Sequence, residues 1–381
     1  MIKVVDPQVG EEEKKAVCAV IDSKYLAEGP VAREFEKQFS DFVGAKNTIV
    51  TSNGTTALHL AIEALGIKPG DEVITTPFTF IASSNSVLFN GAIPIFADID
   101  PETYNLDPEK VEEKITKKTK AILPVHIFGN PCDMKALKDI AEDHNLFLIE
   151  DSCQSHGAYF DGKHTGTIGD IGCFSFYASK NLPFGEGGAI VTDNEELKET
   201  ILCLKNHGRT PKGGYYHVRI GYNSRTSNLH AAIGLEQLKK LPKMLEIRER
   251  NAKILQKELA DLDGFALQKV YPKAKHGWYI AAGRTDRDDL PAIKVVELLK
   301  GKGIGSRQIY SIPSYEQPAY TEINDYYYWA KFVTFPDYSK TSCPNAERIG
   351  RNHFEIPIHA GVSEEDMALI TSTLREIFER K

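Results

Sequence analysis

Apolar side chains recur along the chain with two different periods. Val31, Phe35, Phe39 and Phe42 stand at helical spacing, and Gly44 falls where a left-handed C-terminal cap belongs, so one amphipathic helix is predicted there. From Asn47 onward short β-rich runs take over: NTIVTS, DEVITT, AIPIFADI, KAILPVHIF, LFLIED, CFSFYA and GGAIVT. Helical stretches such as ALHLAIEALG and MKALKDIAEDHN lie between them, and Pro-Gly and Asn-Gly pairs mark loops. Strands alternating with helices predict an α/β fold with a mostly parallel central sheet flanked by helices.

The sheet pattern ends near residue 226. Beyond it Asn228 is placed to cap a long helix through AAIGLEQLKKL, interrupted at Pro242 and resumed through Leu245, Ala252, Leu255 and Leu259. Ser363 followed by Asp366 fits a capping box, and Met367, Ile370, Leu374 and Ile377 supply the buried stripe of a last helix. With 381 residues, 41% of them hydrophobic, the chain is long enough to divide into two domains, residues 1–235 and a smaller α+β domain over 236–381. The aromatic segment DYYYWAKF near residue 325 reads as a surface or interface loop and is given no role.

Charge and cysteine usage narrow the function classes. A net charge of -7 without a basic patch argues against nucleic acid as a partner. No window approaches the ~18 consecutive apolar residues of a membrane span or secretory core, so a cytoplasmic protein without a membrane partner is predicted. The six cysteines lack any CxxC spacing and read as reduced thiols.

Three stretches carry candidate chemistry. In SNGTTALHL (52–60) a strand turns through Asn53 and Gly54 into a helix at Thr55 and Thr56, which presents free amides and the positive end of a helix dipole to an anion. LFLIED ends an apolar strand in Glu150 and Asp151, where ligands of open α/β sheets gather and where a carboxylate can hold a heterocyclic nitrogen protonated. FSFYASKNLPFGEGGAIV sets Ser175 and Lys180 between a buried strand and Gly185, Gly187 and Gly188, and a lysine in apolar surroundings is a competent amine nucleophile. Each stretch alone also fits a bland role: a capped turn, a solvated loop acid, a solvated lysine. Together they supply what pyridoxal 5'-phosphate (PLP) needs, namely a phosphate cradle, a carboxylate for the pyridine nitrogen and an amine for the aldehyde. Other motifs are weaker. Cys153 and His156 lack a second ligand pair, so no metal is predicted; GKGIGS (301–306) follows a helical run and not a strand; and His126 reads as a hydrogen-bonded structural histidine lining the site.

SNGTTAL, PFTFIASSNSV, PVHIFGNPCDM, EDSCQSHGA, FSFYASKNLPFGEGGAIVT, GYNSRTSNLHAAIGLEQL and EIPIHAG, in this order over nearly the whole chain, resemble the DegT/DnrJ/StrS family of PLP-dependent nucleotide-sugar aminotransferases. The resemblance implies a fold type I homodimer with active sites shared between subunits. It implies that Lys180 anchors PLP and moves the proton, that Asp151 pairs with the pyridinium nitrogen, and that Gln154 lies against the ring hydroxyl. It further implies that Phe80 stacks on the ring, that Ser175 with Gly54, Thr55 and Thr56 holds the phosphate, and that Asn223 reaches it from the neighbouring subunit. Tyr310 and His359 fall where the family lines its sugar pocket.

The activity implied is ping-pong transfer of an amino group from L-glutamate, by way of pyridoxamine phosphate, to C3 or C4 of a nucleoside-diphosphate-linked keto sugar, in amino-sugar and polysaccharide biosynthesis. The retained Lys180 favours transamination over the dehydratases that replace this lysine with histidine. A PLP-dependent dehydratase, a cyclitol- or aminobenzoate-forming relative, and a non-catalytic regulatory homologue stay open as alternatives.

Overall fold

The computed structural model describes residues 1–210 and 213–379. The β-rich runs form β1 (Asn47–Thr51), β2 (Glu72–Thr75), β3 (Ile93–Phe96), β4 (Thr119–Leu123) and β5 (Phe147–Asp151). After the two-residue strands β6 (Tyr159–Phe160) and β7 (Lys163–His164) come β8 (Ile171–Ser175) and β9 (Gly188–Thr192). All but β6 and β7 join one seven-stranded sheet in the order β1-β9-β8-β5-β4-β2-β3. Neighbours among β3, β2, β4, β5 and β8 are parallel, whereas β9 runs antiparallel to both β8 and β1.

This topology gathers the site at one edge. Because β9 is reversed, its first residue Gly188 pairs with the last residue of β1, Thr51, and with the last residue of β8, Ser175. Asp151 pairs with Cys173 one strand further on. The carboxyl ends of β1, β5 and β8 therefore open on the same side, where α/β sheets hold their ligands.

Near-continuous burial of these strands follows from cover on both faces. The helix Gly54–Ala64 packs on β8 and β9, and Met134–Asp143 covers β4 and β5. Phe35 and Phe39 of the predicted first amphipathic stripe sit on Pro30–Val43 and are fully buried against Phe174, Phe176 and Phe184, with Gly44 as its left-handed cap at φ 78°.

The long helix differs from expectation in two ways. It runs unbroken from Asn228 to Glu258 with Pro242 inside. An internal proline costs about 3 kcal/mol, but buried residues on both sides of it (Leu238, Leu241, Met244 and Leu255) lie in one stripe, and helices Glu11–Ser23 and Pro30–Val43 pack along it. Its cap is Ser227, whose Oγ accepts the His230 amide. Asn228 instead ties down the N-terminal region, accepting the Ala32 amide at 3.1 Å and donating to the Tyr25 carbonyl at 2.9 Å.

Beyond this helix, β10 (Phe265–Leu267), β12 (Ala281–Thr285) and β13 (His353–Ile356) make an antiparallel sheet in the order β10-β12-β13, while β11 (Ala274–Lys275) pairs with β6. Ala292–Gly301 and the last helix, Glu364–Glu379, bury Val295, Leu299, Met367, Ile370, Leu374 and Ile377 in this second core. The predicted capping box forms: Ser363 N donates to the Asp366 carboxylate at 3.0 Å and Asp366 N to Ser363 Oγ at 3.1 Å. The expected boundary at 235/236 falls inside the long helix. Chain order and packing also part company, because Ile2 bonds to Gly303 and Gly305, and Tyr315, Tyr320 and Tyr338 are buried in the core of the seven-stranded sheet. The aromatic segment divides similarly. Tyr327 donates to the Leu88 carbonyl at 2.7 Å, while Tyr326, Tyr328 and Phe332 are exposed.

Candidate active site

A cavity of about 710 Å³ opens at the carboxyl edge of the sheet, walled by Asn53, Gly54, Thr55, Thr56, Phe80, Ser83, Asp151, Gln154, Ser175, Lys180, Glu186, Tyr279, Arg307 and Tyr310 among others. Nine of the predicted site residues, from Gly54 to Tyr310, meet here. His359 and Asn223 do not.

The phosphate end is built by backbone. Asn53 caps the helix Gly54–Ala64, its side chain accepting the Thr56 amide at 2.8 Å and the Thr56 hydroxyl at 2.9 Å. Thr56 is therefore partly committed to the cap. The Gly54 and Thr55 amides and the Thr55 hydroxyl have no acceptor among the described residues, which leaves donors at a helix N-terminus facing the cavity. Two glycines permit this. A Cβ on Gly54 would lie 2.7 Å from Ser175 Cβ, and one on Gly188 only 2.4 Å from the Asn53 carbonyl, so the turn folds directly onto β8 and β9.

Asp151 and Glu150, adjacent in sequence, face opposite ways. Glu150 leaves the site: it is fully buried, accepts amides of Gly166, Ile168 and Gly169 at 2.7 Å each, and accepts a hydrogen bond from His126 Nε2 at 3.0 Å. Burial alone would raise its pKa, but these partners, His126 foremost, hold it below the ordinary carboxylate value. His126 in turn accepts the Cys132 amide on Nδ1. It is structural, as expected, but lies behind the cavity wall and not in it. Asp151 points in. Only 3% exposed, it accepts Ser83 Oγ at 2.7 Å and the Cys153 amide at 3.1 Å, with no cation among its hydrogen-bond partners in the described residues. A protonated heterocyclic nitrogen supplies the positive charge that a buried carboxylate calls for.

The rest of the wall fits the same group. Gln154 anchors its Oε1 on the Phe128 amide at 2.9 Å, which leaves its NH₂ for the cavity. Phe80 is 59% exposed on the wall, an aromatic face open to the cavity. Lys180 is half-buried, its Nζ held 4.4 Å above the Tyr279 ring, and Tyr279 is fixed in turn by its hydroxyl to Ser179 at 3.0 Å. Tyr310 takes a left-handed backbone at φ 52°, a conformation costly for a tyrosine and concentrated at functional sites. Burial pushes its phenol well above the ordinary value.

His359 is 6% exposed beside a separate small cavity with Arg248. Its Nε2 bonds the Lys3 carbonyl at 3.0 Å and its Nδ1 accepts the Gly361 amide at 3.1 Å, so neither ring nitrogen is free for a substrate. Asn223 is exposed in a stretch that pairs with Asn206, away from the cavity of its own chain. Sequence reasoning missed Ser83, Tyr279, Arg307 and Glu186. Ser83 was legible, three residues after Phe80 on the helix turn that follows. Arg307 stood next to the dismissed GKGIGS stretch, and nothing local marked it.

A mostly parallel sheet carrying a lysine, a buried aspartate and a helix-end anion cradle at one edge defines a PLP-dependent aminotransferase of the fold type I class. The chain belongs to the DegT/DnrJ/EryC1/StrS aminotransferase family, whose model matches residues 7–375. It is 36% identical to a GDP-perosamine synthase of Caulobacter vibrioides, over 99% of this chain and 98% of that one. It is 35% identical to a UDP-2-acetamido-2-deoxy-3-oxo-D-glucuronate aminotransferase of Pseudomonas aeruginosa, over 91% and 90% of the two chains. The S. venezuelae DesV crystal structure, in complex with a ketimine intermediate, superposes with a TM-score of 0.88 at 34% identity, over 97% of this chain and 95% of that one. This protein is thus a PLP-dependent sugar aminotransferase, and no described helix is long and apolar enough to cross a membrane.

Proposed function

We propose that the enzyme moves an amino group from L-glutamate to C3 or C4 of a nucleoside-diphosphate-linked keto sugar by a ping-pong route. The observation that carries this reading is the convergence of Lys180, Asp151 and the unpaired Gly54 and Thr55 amides on one cavity large enough for both a cofactor and a sugar. Relatives named for GDP- and UDP-linked sugars support the substrate class. When bound, PLP supplies an electron sink for the carbanion at the reacting carbon.

The chain's residues do the rest. Asp151, held in place by Ser83, keeps the ring nitrogen protonated. Lys180 anchors the cofactor and then carries the proton to and from the reacting carbon, worth ~10² to 10⁴ in rate. Gln154 and Phe80 orient the ring, and Gly54, Thr55 and Ser175 bind the phosphate. A homodimer completes the site, with Asn223 of the partner subunit reaching the phosphate. Its exposed apolar stretch, Tyr215, Tyr216, Val218 and Ile220, supplies surface for that contact.

The test is an absorbance scan of the PLP-loaded protein before and after L-glutamate, beside Lys180→Ala. Wild type should change spectrum within turnover time and the variant should not. A wild-type spectrum indifferent to L-glutamate overturns the donor, and steady-state transamination by Lys180→Ala overturns the role of that lysine.

A further inference from the structure

A ping-pong transaminase must seat two unlike substrates in one cavity, and here the amino acid carries a carboxylate on its reacting carbon, where the keto sugar carries none. Lys180 and Arg307 are the cations among the residues lining the cavity, and the first is committed to the cofactor. Arg307 is half-exposed to the cavity, and its Nε and Nη2 engage both oxygens of Glu355, Nη2 to Oε1 at 3.3 Å. Glu355 stands on β13 with its side chain 1% exposed, and its amide is bonded to the Arg307 carbonyl at 2.9 Å. The pairing is side-on. It uses the Nε/Nη2 edge of the guanidinium and leaves the Nη1/Nη2 edge without a partner among the described residues.

We propose that Arg307 binds a carboxylate of the amino donor through this free edge, with Glu355 as the residue that positions it. The inference rests on the glutamate reading above. A guanidinium fork matches the two coplanar oxygens of a carboxylate and not a point charge. The location agrees: Glu355 feels the charges of both Arg307 and Lys180, and Tyr279 lies beside both cations, so Arg307 occupies the corner where the reacting amine must arrive. Among the described residues Glu355 has no other cation in hydrogen-bond contact, and burial raises its carboxyl above the ordinary value despite Arg307. An acid so buried is costly unless it holds its partner in one geometry.

The test compares wild type, Arg307→Gln, Arg307→Lys and Glu355→Gln, each loaded with PLP and checked for fold by circular dichroism. Binding of glutarate, a dicarboxylate without an amine, is measured by calorimetry, alongside UDP and GDP and the L-glutamate half-reaction. Arg307→Gln should keep the cofactor band yet bind glutarate roughly tenfold or more weakly, with Arg307→Lys recovering only part of the loss. Glu355→Gln should raise the half-saturating L-glutamate concentration roughly threefold to tenfold, by a larger factor than it lowers the limiting rate. Equal glutarate affinity in wild type and Arg307→Gln overturns this inference alone, as does a loss confined to UDP or GDP. A wild type that loads PLP but neither binds glutarate nor reacts with L-glutamate overturns the donor assignment and this inference with it.

Discussion

At the scale of single residues, the site depends on small geometric facts. Asp151 and Glu150 are neighbours with opposite destinies because side chains alternate along a strand. The paired acids looked equivalent in LFLIED, yet only one reaches the cavity. Asp151→Asn keeps the shape and the Ser83 contact but removes the charge that protonates the ring, so PLP should still bind while turnover falls roughly 10²-fold or more; unchanged kcat removes Asp151 from that role. Gly54→Ala tests the cradle. Its Cβ would press on Ser175 Cβ at 2.7 Å and on Cys153 Sγ at 3.0 Å, so the helix end must shift. Overpacking of this kind costs about 1–3 kcal/mol, and PLP affinity, measured by fluorescence titration, should drop about tenfold or more.

At the scale of elements, periodicity was a good guide and local chemistry a partial one. The seven β-rich runs became the seven strands of one sheet, since runs of that length and composition have few other stable outcomes. Pro242 misled. The rule that a proline ends a helix is local, whereas the stripe of buried residues across it is a tertiary term of larger size. Capping at the last helix was read correctly, because Ser363 and Asp366 bond each other's amides within one turn. Ser363→Ala should cost about 1 kcal/mol and lower the thermal midpoint by roughly 1–2 °C, with no change in cofactor binding. A midpoint equal to that of wild type would mean the cap contributes nothing.

For the whole molecule, burial sets the pH range of stability. Burial pushes the imidazole of His164 down to about 4, that of His276 to about 3 and that of His353 to about 4. His164 and His276 each accept a backbone amide on one ring nitrogen, from Gly157 at 2.9 Å and Trp278 at 2.7 Å, so both must stay neutral. In the unfolded chain they protonate near ~6.5. Below that pH the unfolded state binds protons that the folded state refuses, and stability falls with acidity by about 1.4 kcal/mol per unit for each histidine, or about 2 kcal/mol each by pH 5. The thermal midpoint should hold between pH 8 and 7 and decline steadily toward pH 5; a flat profile over that range contradicts the assignment. The proposed dimer is checked by light scattering, which should give twice the chain mass.

What the sequence determined by itself was everything governed by local period and by backbone-limited motifs: the strands, most helices, and the turn, aspartate and lysine that announce a PLP site. Only the tertiary structure decided which residues share a cavity. Asn228 left its helix cap for the N-terminal segment, His359 spent both ring nitrogens on the backbone, and Arg307 with Glu355 reached the site from another sheet. The physical reason is that contacts between segments hundreds of residues apart depend on how hydrophobic faces and buried polar groups are satisfied together, and no window of the chain contains both partners.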